Sequence, residues 1–162
     1  MRHTFTTTLQ NPTGYGYILV VPPAIVQDFL DQHGKRVVVT FNQGHRWHAA
    51  LMAHGAFGHY IMVGKQQLKK AGLDGDEEIE VELVADTSKY GAEVPEELEA
   101  VLETDPEGQR AFEGMTDGGK RSVIFMVARY KTTDSRIEKA LDVLEKLKLG
   151  ITDRKILGKK GF

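Results

Sequence analysis

Four of the six histidines in this chain lie within fifteen residues: His45, His48, His54 and His59. Imidazole nitrogens bind zinc and nickel well, so a metal-dependent enzyme that uses these histidines is one hypothesis. However, His45 and His48 are three residues apart on a predicted strand and would point to opposite faces. No acidic residue lies between His33 and Leu73 to complete a set of two histidines and one carboxylate. We therefore predict no metal site.

Other catalytic motifs find little support. The three serines, Ser88, Ser122 and Ser135, lie outside any Gly-x-Ser-x-Gly turn, and the chain has no cysteine to supply a thiolate. Gly14-Tyr15-Gly16 lacks the third glycine and the helix of a phosphate-binding loop. We predict no catalytic residue and no cofactor, and the chain reads more as a binding protein than as an enzyme.

Aromatic side chains give the strongest binding signal. They gather with two histidines on one predicted hairpin, and flat side chains of this kind can hold a small ligand or a peptide. The candidate ligand-binding residues there are Trp47, His48, Phe57, His59 and Tyr60. Taken alone, Trp47 is better explained as a core residue.

A second candidate surface is basic. Five basic residues lie around Tyr130, and such a group can bind an anion or a nucleic-acid backbone, although charge on a helix surface is the commoner explanation. They are Lys120, Arg121, Arg129, Lys131 and Arg136. We expect any binding site to lie in a groove between the aromatic hairpin and these basic helices.

The elements that must position these residues divide the chain in two. Residues 1–86 show six short alternating strands, two short helices and frequent turns, which predict a small six-stranded β-barrel-like domain. The alternation is clearest in the last strand, where the residues predicted to face the core are Ile79, Val81 and Leu83. Residues 87–94 lack any sustained period and are interpreted as a linker. Apolar residues then recur at helical spacing, so residues 95–150 are predicted to form a module of about four helices. Residues 151–162 are predicted to be a basic flexible tail. The expected fold class is α+β.

Charge and hydropathy narrow the cellular context. The net charge is only −2, but residues 93–113 carry eight acids and one base, whereas residues 114–162 carry six acids and twelve bases. Attraction between helices of one small bundle explains this asymmetry most simply. No apolar run approaches the roughly 20 residues that span a bilayer, and the first residues lack a secretion signal. We expect a cytoplasmic protein without membrane insertion.

Several motifs resemble known bacterial families. The stretches that carry the first resemblance are Val21-Pro22 through Asn42, Trp47-His48-Ala49-Ala50-Leu51, Gly58 through Lys65, Leu68, Gly72, Gly75-Asp76 and Glu80-Val81-Glu82-Leu83. They are similar to a family of small β-rich domains of unknown function. Ala50 and Met62 depart from it, since a serine and a proline are usual at those positions.

The second half resembles the helical YdeI/OmpD-associated, or bacteriocin-protection, family. The stretches that carry this resemblance are Val94-Pro95-Glu96-Glu97-Leu98, Asp105-Pro106 to Phe112 and Lys131 to Leu147. The basic cluster before Arg136 is thinner than in typical members. The resemblance implies a fold and a proposed association with resistance or envelope proteins, and it implies no known reaction.

The sequence is most consistent with a non-enzymatic binding module for a protein, a peptide or a small anionic molecule. Two alternatives stay open. One is nucleic-acid binding through residues 120–160, and the other is the metal-dependent enzyme that uses the hairpin histidines.

Overall fold

The computed structural model describes residues 1–162, which form two compact units, Met1–Gly91 and Ala92–Phe162. The strands of the first unit are β1 (Arg2–Thr8), β2 (Tyr17–Val20), β3 (Arg36–Phe41), β4 (Arg46–Ala50), β5 (Met52–His54), β6 (Gly58–Val63) and β7 (Glu78–Ala85). Its helices are α1 (Pro23–Gln32) and α2 (Lys65–Ala71). The helices of the second unit are α3 (Glu96–Thr104), α4 (Pro106–Glu113), α5 (Asp117–Ala128), α6 (Thr133–Lys148) and α7 (Arg154–Gly158). The predicted combination of a β-rich first half with a helical second half is confirmed. None of these helices is long and apolar enough to cross a membrane.

Two antiparallel sheets enclose the core of the first unit. Their strand orders are β1-β7-β3-β4 and β2-β6-β5, and a bridge between Gln10 and Ile18 joins β2 to the segment after β1. The core residues Ile79, Val81 and Leu83 are fully buried, as their alternation predicts, because β7 lies between β1 and β3.

The predicted six-stranded β-barrel is wrong in two respects. There are seven strands and not six, because residues 46–54 form two strands, β4 and β5, on either side of Leu51. The sheets also do not close, since β4 pairs only with β3 and β6 pairs only with β2 and β5. The sequence pattern supplies enough strands for a barrel, but periodicity alone does not say which strand edges meet.

The first unit contains two short helices. Pro22 precedes α1 and Pro23 is its first residue, where a missing N–H costs no helical hydrogen bond. Helix α2 ends at Gly72, whose φ of 71° is the left-handed conformation that glycine adopts without strain. Their apolar residues Val26, Phe29 and Leu68 are buried in the core of this unit.

The second unit is a helical bundle with side-chain caps at most helix starts. The Asp105 carboxylate accepts the Gly108 N–H at the start of α4, and Thr132 and Ser135 form a reciprocal capping box at the start of α6. Asp105 also accepts a hydrogen bond from Lys148 Nζ at 2.6 Å, which ties the end of α6 to the junction between α3 and α4. Hydrogen bonds to Asp105 and Glu145 raise the pKa of Lys148.

Part of the segment predicted as a basic flexible tail is helical, because residues 154–158 form α7 and its Leu157 is fully buried. Two buried lysines of α6 hold this segment. Lys139 Nζ donates to Leu157 O at 2.7 Å, and Lys146 Nζ donates to Lys159 O at 2.6 Å and to the Asp142 carboxylate at 2.9 Å. Burial lowers the pKa of Lys139 against the opposing effect of Asp142, and the Lys146 charge lowers it further. The sequence gives no sign of this order, because the acceptors of the two lysines are backbone carbonyls, which leave no pattern of residue types.

Leu157 tests whether α7 is a fixed part of the bundle. We expect Leu157→Ala to lower the free energy of unfolding by about 2–4 kcal/mol, because it leaves a cavity at a buried site. Ile156→Ala is the matched control on the same short helix, since Ile156 is 44% exposed, and it should cost less than about 1 kcal/mol. Urea unfolding followed by circular dichroism measures both. Equal, small losses would contradict the docking of α7.

Candidate functional site

Strands β4 and β5 follow each other directly on either side of Leu51 and belong to different sheets. The Leu51 N–H donates to Lys35 O at 2.8 Å, and the Phe41 N–H donates to His45 O at 3.0 Å. In an antiparallel ladder successive residues point their backbone groups to opposite edges. The odd-numbered residues of β4 therefore bond β3. The backbone groups of His48 and Ala50 point to the other edge, where no strand pairs with β4.

Strand β6 has the complementary arrangement. The Val21 N–H donates to His59 O at 3.0 Å, so His59, Ile61 and Val63 point their backbone groups toward β2. Gly58 and Tyr60 point theirs toward β5, which pairs only as far as Met52 opposite Tyr60. The backbone groups of Met62 therefore point away from β2, beyond the end of β5.

A groove of about 470 Å³ lies between these two unpaired edges, and we call it the β4–β6 groove. The groove is an open surface depression and not an enclosed cavity. Its lining residues are Trp47, His48, Ala49, Ala50, Met52, Ile61, Met62, Gly64, Lys65, Gln66 and Gln67. Trp47, Ala49 and Ile61 pack against the core and form its floor. The exposed Met52 and Met62 lie on the outward-facing side.

Side-chain charge in the β4–β6 groove has one sign. Lys65 is the only lysine or arginine in its lining, and no carboxylate lines it. The exposed Arg46 lies directly before the lining residues of β4. The groove is therefore suited to a neutral or acidic ligand.

Contacts at both ends hold the groove in shape. Met52 pairs with Tyr60 at one end. Near the other end, His45 Nε2 and Gln67 Oε1 are 2.5 Å apart, which joins the start of β4 to α2. The Trp47 ring lies edge-on to Phe41 with centroids 4.8 Å apart and stacks on His45 at 5.4 Å. Trp47 is thus a fixed part of the groove floor that also packs against the core.

His48 is oriented by a buried carboxylate. Its Nδ1–H donates to Asp86 Oδ2 at 2.7 Å, and the Asp86 side chain is only 1% exposed. The other carboxylate oxygen accepts the Ser88 hydroxyl at 2.6 Å and the Ser88 N–H at 2.9 Å. Because an ionised carboxylate only accepts, neutral His48 carries its proton on Nδ1. The imidazole therefore keeps a fixed orientation beside the β4–β6 groove.

The pKa of Asp86 reflects two opposing effects. Burial alone would raise it, but the hydrogen bonds from Ser88 and His48 outweigh burial and hold the pKa of this carboxyl below its usual range. The charged form of Asp86 is therefore favoured in the folded protein.

The structure brings together two of the five aromatic-hairpin residues in this groove. Trp47 and His48 line it, whereas Phe57 stacks on His54 with centroids 4.5 Å apart and lies edge-on to Tyr60 at 6.2 Å, near the turn between β5 and β6. His59 lies on β6 opposite Ala53. None of these three lines the groove.

The predicted basic surface is partly used within the second unit. Arg136 donates from Nε to Tyr130 O at 2.7 Å and from a terminal nitrogen to Ala128 O at 3.1 Å, so it caps the end of α5. It also lies 3.7 Å from the Glu97 carboxylate. Arg129 and Lys131 are exposed. This use of Arg136 weakens the nucleic-acid alternative.

The hairpin histidines are dispersed among separate partners. His45 contacts Trp47 and Gln67, His48 contacts Asp86, and His54 contacts Phe57. No group of three or more histidines, aspartates or glutamates is placed to hold a metal ion. The geometry gives the metal-dependent alternative no ligand set.

Sequence reasoning missed two features of the site. Asp86 was given no role as the last residue of the predicted β domain, although Asp followed two residues later by Ser is typical of a turn that the aspartate stabilises. The unpaired edge of β4 has no sequence signal, because all its hydrogen-bonding groups belong to the backbone.

Comparison with known protein families agrees with this organisation. Residues 5–83 match DUF1905, a domain of unknown function. Residues 91–150 match the family described as bacteriocin-protection, YdeI or OmpD-associated. The chain therefore contains a DUF1905 domain followed by a YdeI/OmpD-associated domain, which confirms the resemblance noted from the sequence. Comparisons with curated proteins and with solved structures gave no match. The β4–β6 groove lies within the DUF1905 domain.

Asp86 gives the stability of the protein a specific pH dependence. We expect Asp86→Asn to lower the free energy of unfolding by about 1.5–3 kcal/mol at pH 7, because it removes a buried charged acceptor. The folded-state pKa lies below the unfolded value of about 4, so the contribution is complete above that pH and is lost as pH falls through the folded pKa. The difference between wild type and variant should therefore shrink below about pH 4.

Urea unfolding at pH 7, 5, 4 and 3 measures this difference. Asp76→Asn, which changes an exposed carboxylate, is the matched control and should leave it near zero throughout. A difference for Asp86→Asn that does not change with pH would contradict the assignment.

Proposed function

We propose that the protein is a non-enzymatic binding module whose β4–β6 groove holds a short, extended segment of an acidic peptide. The observation that carries the proposal is the unpaired edge of β4 along one wall of the groove. His48 and Ala50 present backbone N–H and C=O groups there, and an extended peptide satisfies such groups by adding a strand.

The edge explains why the ligand is extended. Exposed strand edges favour uncontrolled pairing, and natural proteins usually block them with charge, proline or a covering element. The four residues of β4 that line the groove contain no proline and no lysine, arginine or carboxylate, so this edge is open to pairing with one more strand.

The lining supports a particular side-chain pattern. An extended peptide points alternate side chains to opposite sides. Those directed at Trp47, Ala49 and Ile61 would meet an apolar floor, and those directed outward would meet Lys65 and His48. Alternation of aliphatic and acidic residues is therefore the pattern that fits. The same pattern occurs in β7, where Glu78 through Leu83 reads Glu-Ile-Glu-Val-Glu-Leu and pairs with β3.

A small anionic molecule is the second occupant that the volume and charge admit. It would use Lys65 without needing the backbone of β4, and the tests below separate the two.

The first test is binding of the capped, fluorescein-labelled peptide Glu-Ile-Glu-Val-Glu-Leu, measured by fluorescence polarisation. We expect saturable binding by the wild-type protein and at least about tenfold weaker binding by Ala50→Pro, which is the loss of one or two backbone hydrogen bonds. Proline at position 50 removes an N–H that points into the groove and leaves the β3–β4 ladder intact. Its thermal unfolding midpoint serves as the folding control.

A matched peptide series keeps the test independent of that variant. Lys-Ile-Lys-Val-Lys-Leu has the same apolar pattern with opposite charge and should bind more weakly. Two further forms of the acidic peptide carry N-methyl groups either on the odd-numbered or on the even-numbered residues. Only one of the two forms should lose binding, because only alternate residues of the peptide face β4. Equal binding of both N-methylated forms and of the parent peptide would show that the backbone edge is not used. Absence of binding by the acidic peptide would also contradict the proposal.

A further inference from the structure

Strand β1 is the longest of the strands that end a sheet, and one side of it has no paired strand. It pairs with β7 alone, and β2 bridges the chain only after β1 has ended, at Gln10. β1 contains no proline or lysine, and its one arginine is its first residue. Natural proteins usually protect such an edge, because it pairs readily with further strands. The open edge of β1 is therefore a candidate for pairing with another chain.

The ladder on the other side of β1 shows which backbone groups lie on the open edge. The Asn42 N–H donates to Glu80 O at 2.8 Å. The Asp86 N–H donates to Arg36 O at 3.1 Å, so the even-numbered residues of β7 bond to β3. The odd-numbered residues of β7 therefore bond to β1, and in the register of these two strands they meet its odd-numbered residues. The residues of β1 that point their N–H and C=O groups to the open edge are Arg2, Thr4, Thr6 and Thr8, and all four are exposed.

The order of residues along β1 suits pairing with a second copy of the same strand. An antiparallel pair of identical strands has a two-fold axis. An axis at Phe5 places Thr4 of one copy opposite Thr6 of the other. It also places Arg2 opposite Thr8, so every residue with backbone groups on the open edge joins the ladder. Threonines that lie opposite each other add side-chain hydrogen bonds to such a ladder.

Phe5 adds an apolar contact on the inner face of the same sheet. Its ring packs against the core but is only partly buried. Because its backbone groups bond to β7, Phe5 and its copy would form a non-hydrogen-bonded pair, with Cα atoms about 4.5 Å apart. Aromatic side chains in such pairs stabilise antiparallel strands. Pairing would therefore cover the part of the ring that the single chain leaves exposed.

Charge on the outer face is compatible with this pairing. Glu78, Glu80 and Glu82 form a column on β7 beside the threonines of β1. In the pair, two columns of threonines would separate the glutamates of the two copies by three strand spacings, about 14 Å. This separation exceeds the Debye length of about 8 Å at physiological ionic strength, so their repulsion is largely screened. Each Arg2 would lie in the same row as Glu78 of the other copy, which favours this register.

We propose that the protein forms a two-fold dimer in which β1 of one copy pairs antiparallel with β1 of the other, with the axis at Phe5. The sheet β1-β7-β3-β4 of each copy then becomes half of one continuous sheet. β4 lies at the opposite end of the sheet from β1, so the dimer does not use the β4–β6 groove. The dimer is therefore independent of the proposed function.

Analytical ultracentrifugation of the full chain tests the dimer. We expect a species with twice the mass of one chain, whose fraction rises with concentration. Thr6→Pro removes an N–H from the open edge and leaves the residues that bond to β7 unchanged. It should weaken the dimer at least about tenfold, because one hydrogen bond is lost in each symmetric half. Thr6→Ala keeps the N–H and is the matched control, which should retain the dimer. Circular dichroism reports whether each variant is folded.

Disulfide crosslinking tests the register without the proline variant, because the natural chain contains no cysteine. Thr4→Cys is mixed with isotope-labelled Thr6→Cys, and oxidised glutathione is the oxidant. In the proposed register the two cysteines lie opposite each other, where Cα atoms are about 5.5 Å apart and a disulfide fits. Two copies of either variant alone place their cysteines diagonally, about 7–8 Å apart, which is too far for a disulfide. Mass spectrometry should therefore show the mixed dimer well above its statistical share.

Three outcomes would overturn the proposal. The first is a wild-type chain that sediments as a monomer at every concentration. The second is a folded Thr6→Pro variant that dimerises as well as the wild type, because the dimer would then use another surface. The third is crosslinking of either cysteine variant with itself that equals or exceeds the mixed product, because the strands would then not pair about Phe5. If Thr6→Pro does not fold, sedimentation of the wild type and the crosslinking ratio decide the matter.

Discussion

The backbone geometry of residues 46–54 is the constraint on which the first unit depends. Each residue of a strand directs its N–H and C=O to one edge only, so a single strand can join two neighbours by alternation. In residues 46–54, the odd-numbered residues of β4 bond to β3, and Met52 and His54 of β5 bond to β6. The buried Leu51 lies at the change from one sheet to the other. The β4–β6 groove exists because the backbone groups of His48 and Ala50 pair with neither β3 nor β6.

The core accounts for the stability of this arrangement without help from the groove. Ile79, Val81 and Leu83 fill the space between the sheets, and Trp47 closes it on the side of β4. Asp86 fixes the end of β7 against His48 through hydrogen bonds that a buried carboxylate needs. Most of the side-chain packing is thus independent of whether the β4–β6 groove is occupied.

The fold could be predicted from the sequence wherever side chains carry the signal. The alternation of Ile79, Val81 and Leu83 in β7 gave the correct element, because its physical cause is local. Barrel closure could not be predicted, since it depends on which backbone edges meet. The candidate site shows the same limit: Trp47 and His48 were recognisable as residue types, whereas the unpaired edge beside them is invisible in the residue letters. The helix over residues 154–158 was not predicted, because the lysines that bond this segment lie on α6.

The two lysines beneath α7 have a consequence for the length of the helical unit. Lys139 and Lys146 are charged groups in an apolar interior, and their acceptors are mostly carbonyl oxygens of the segment that follows α6. A chain shortened to end at Gly150 would lose those acceptors and leave two ammonium groups next to one carboxylate, Asp142. The backbone carbonyls after Gly150 therefore take the place of water around the two ammonium groups. The bundle needs these residues even though the matched family region ends before them.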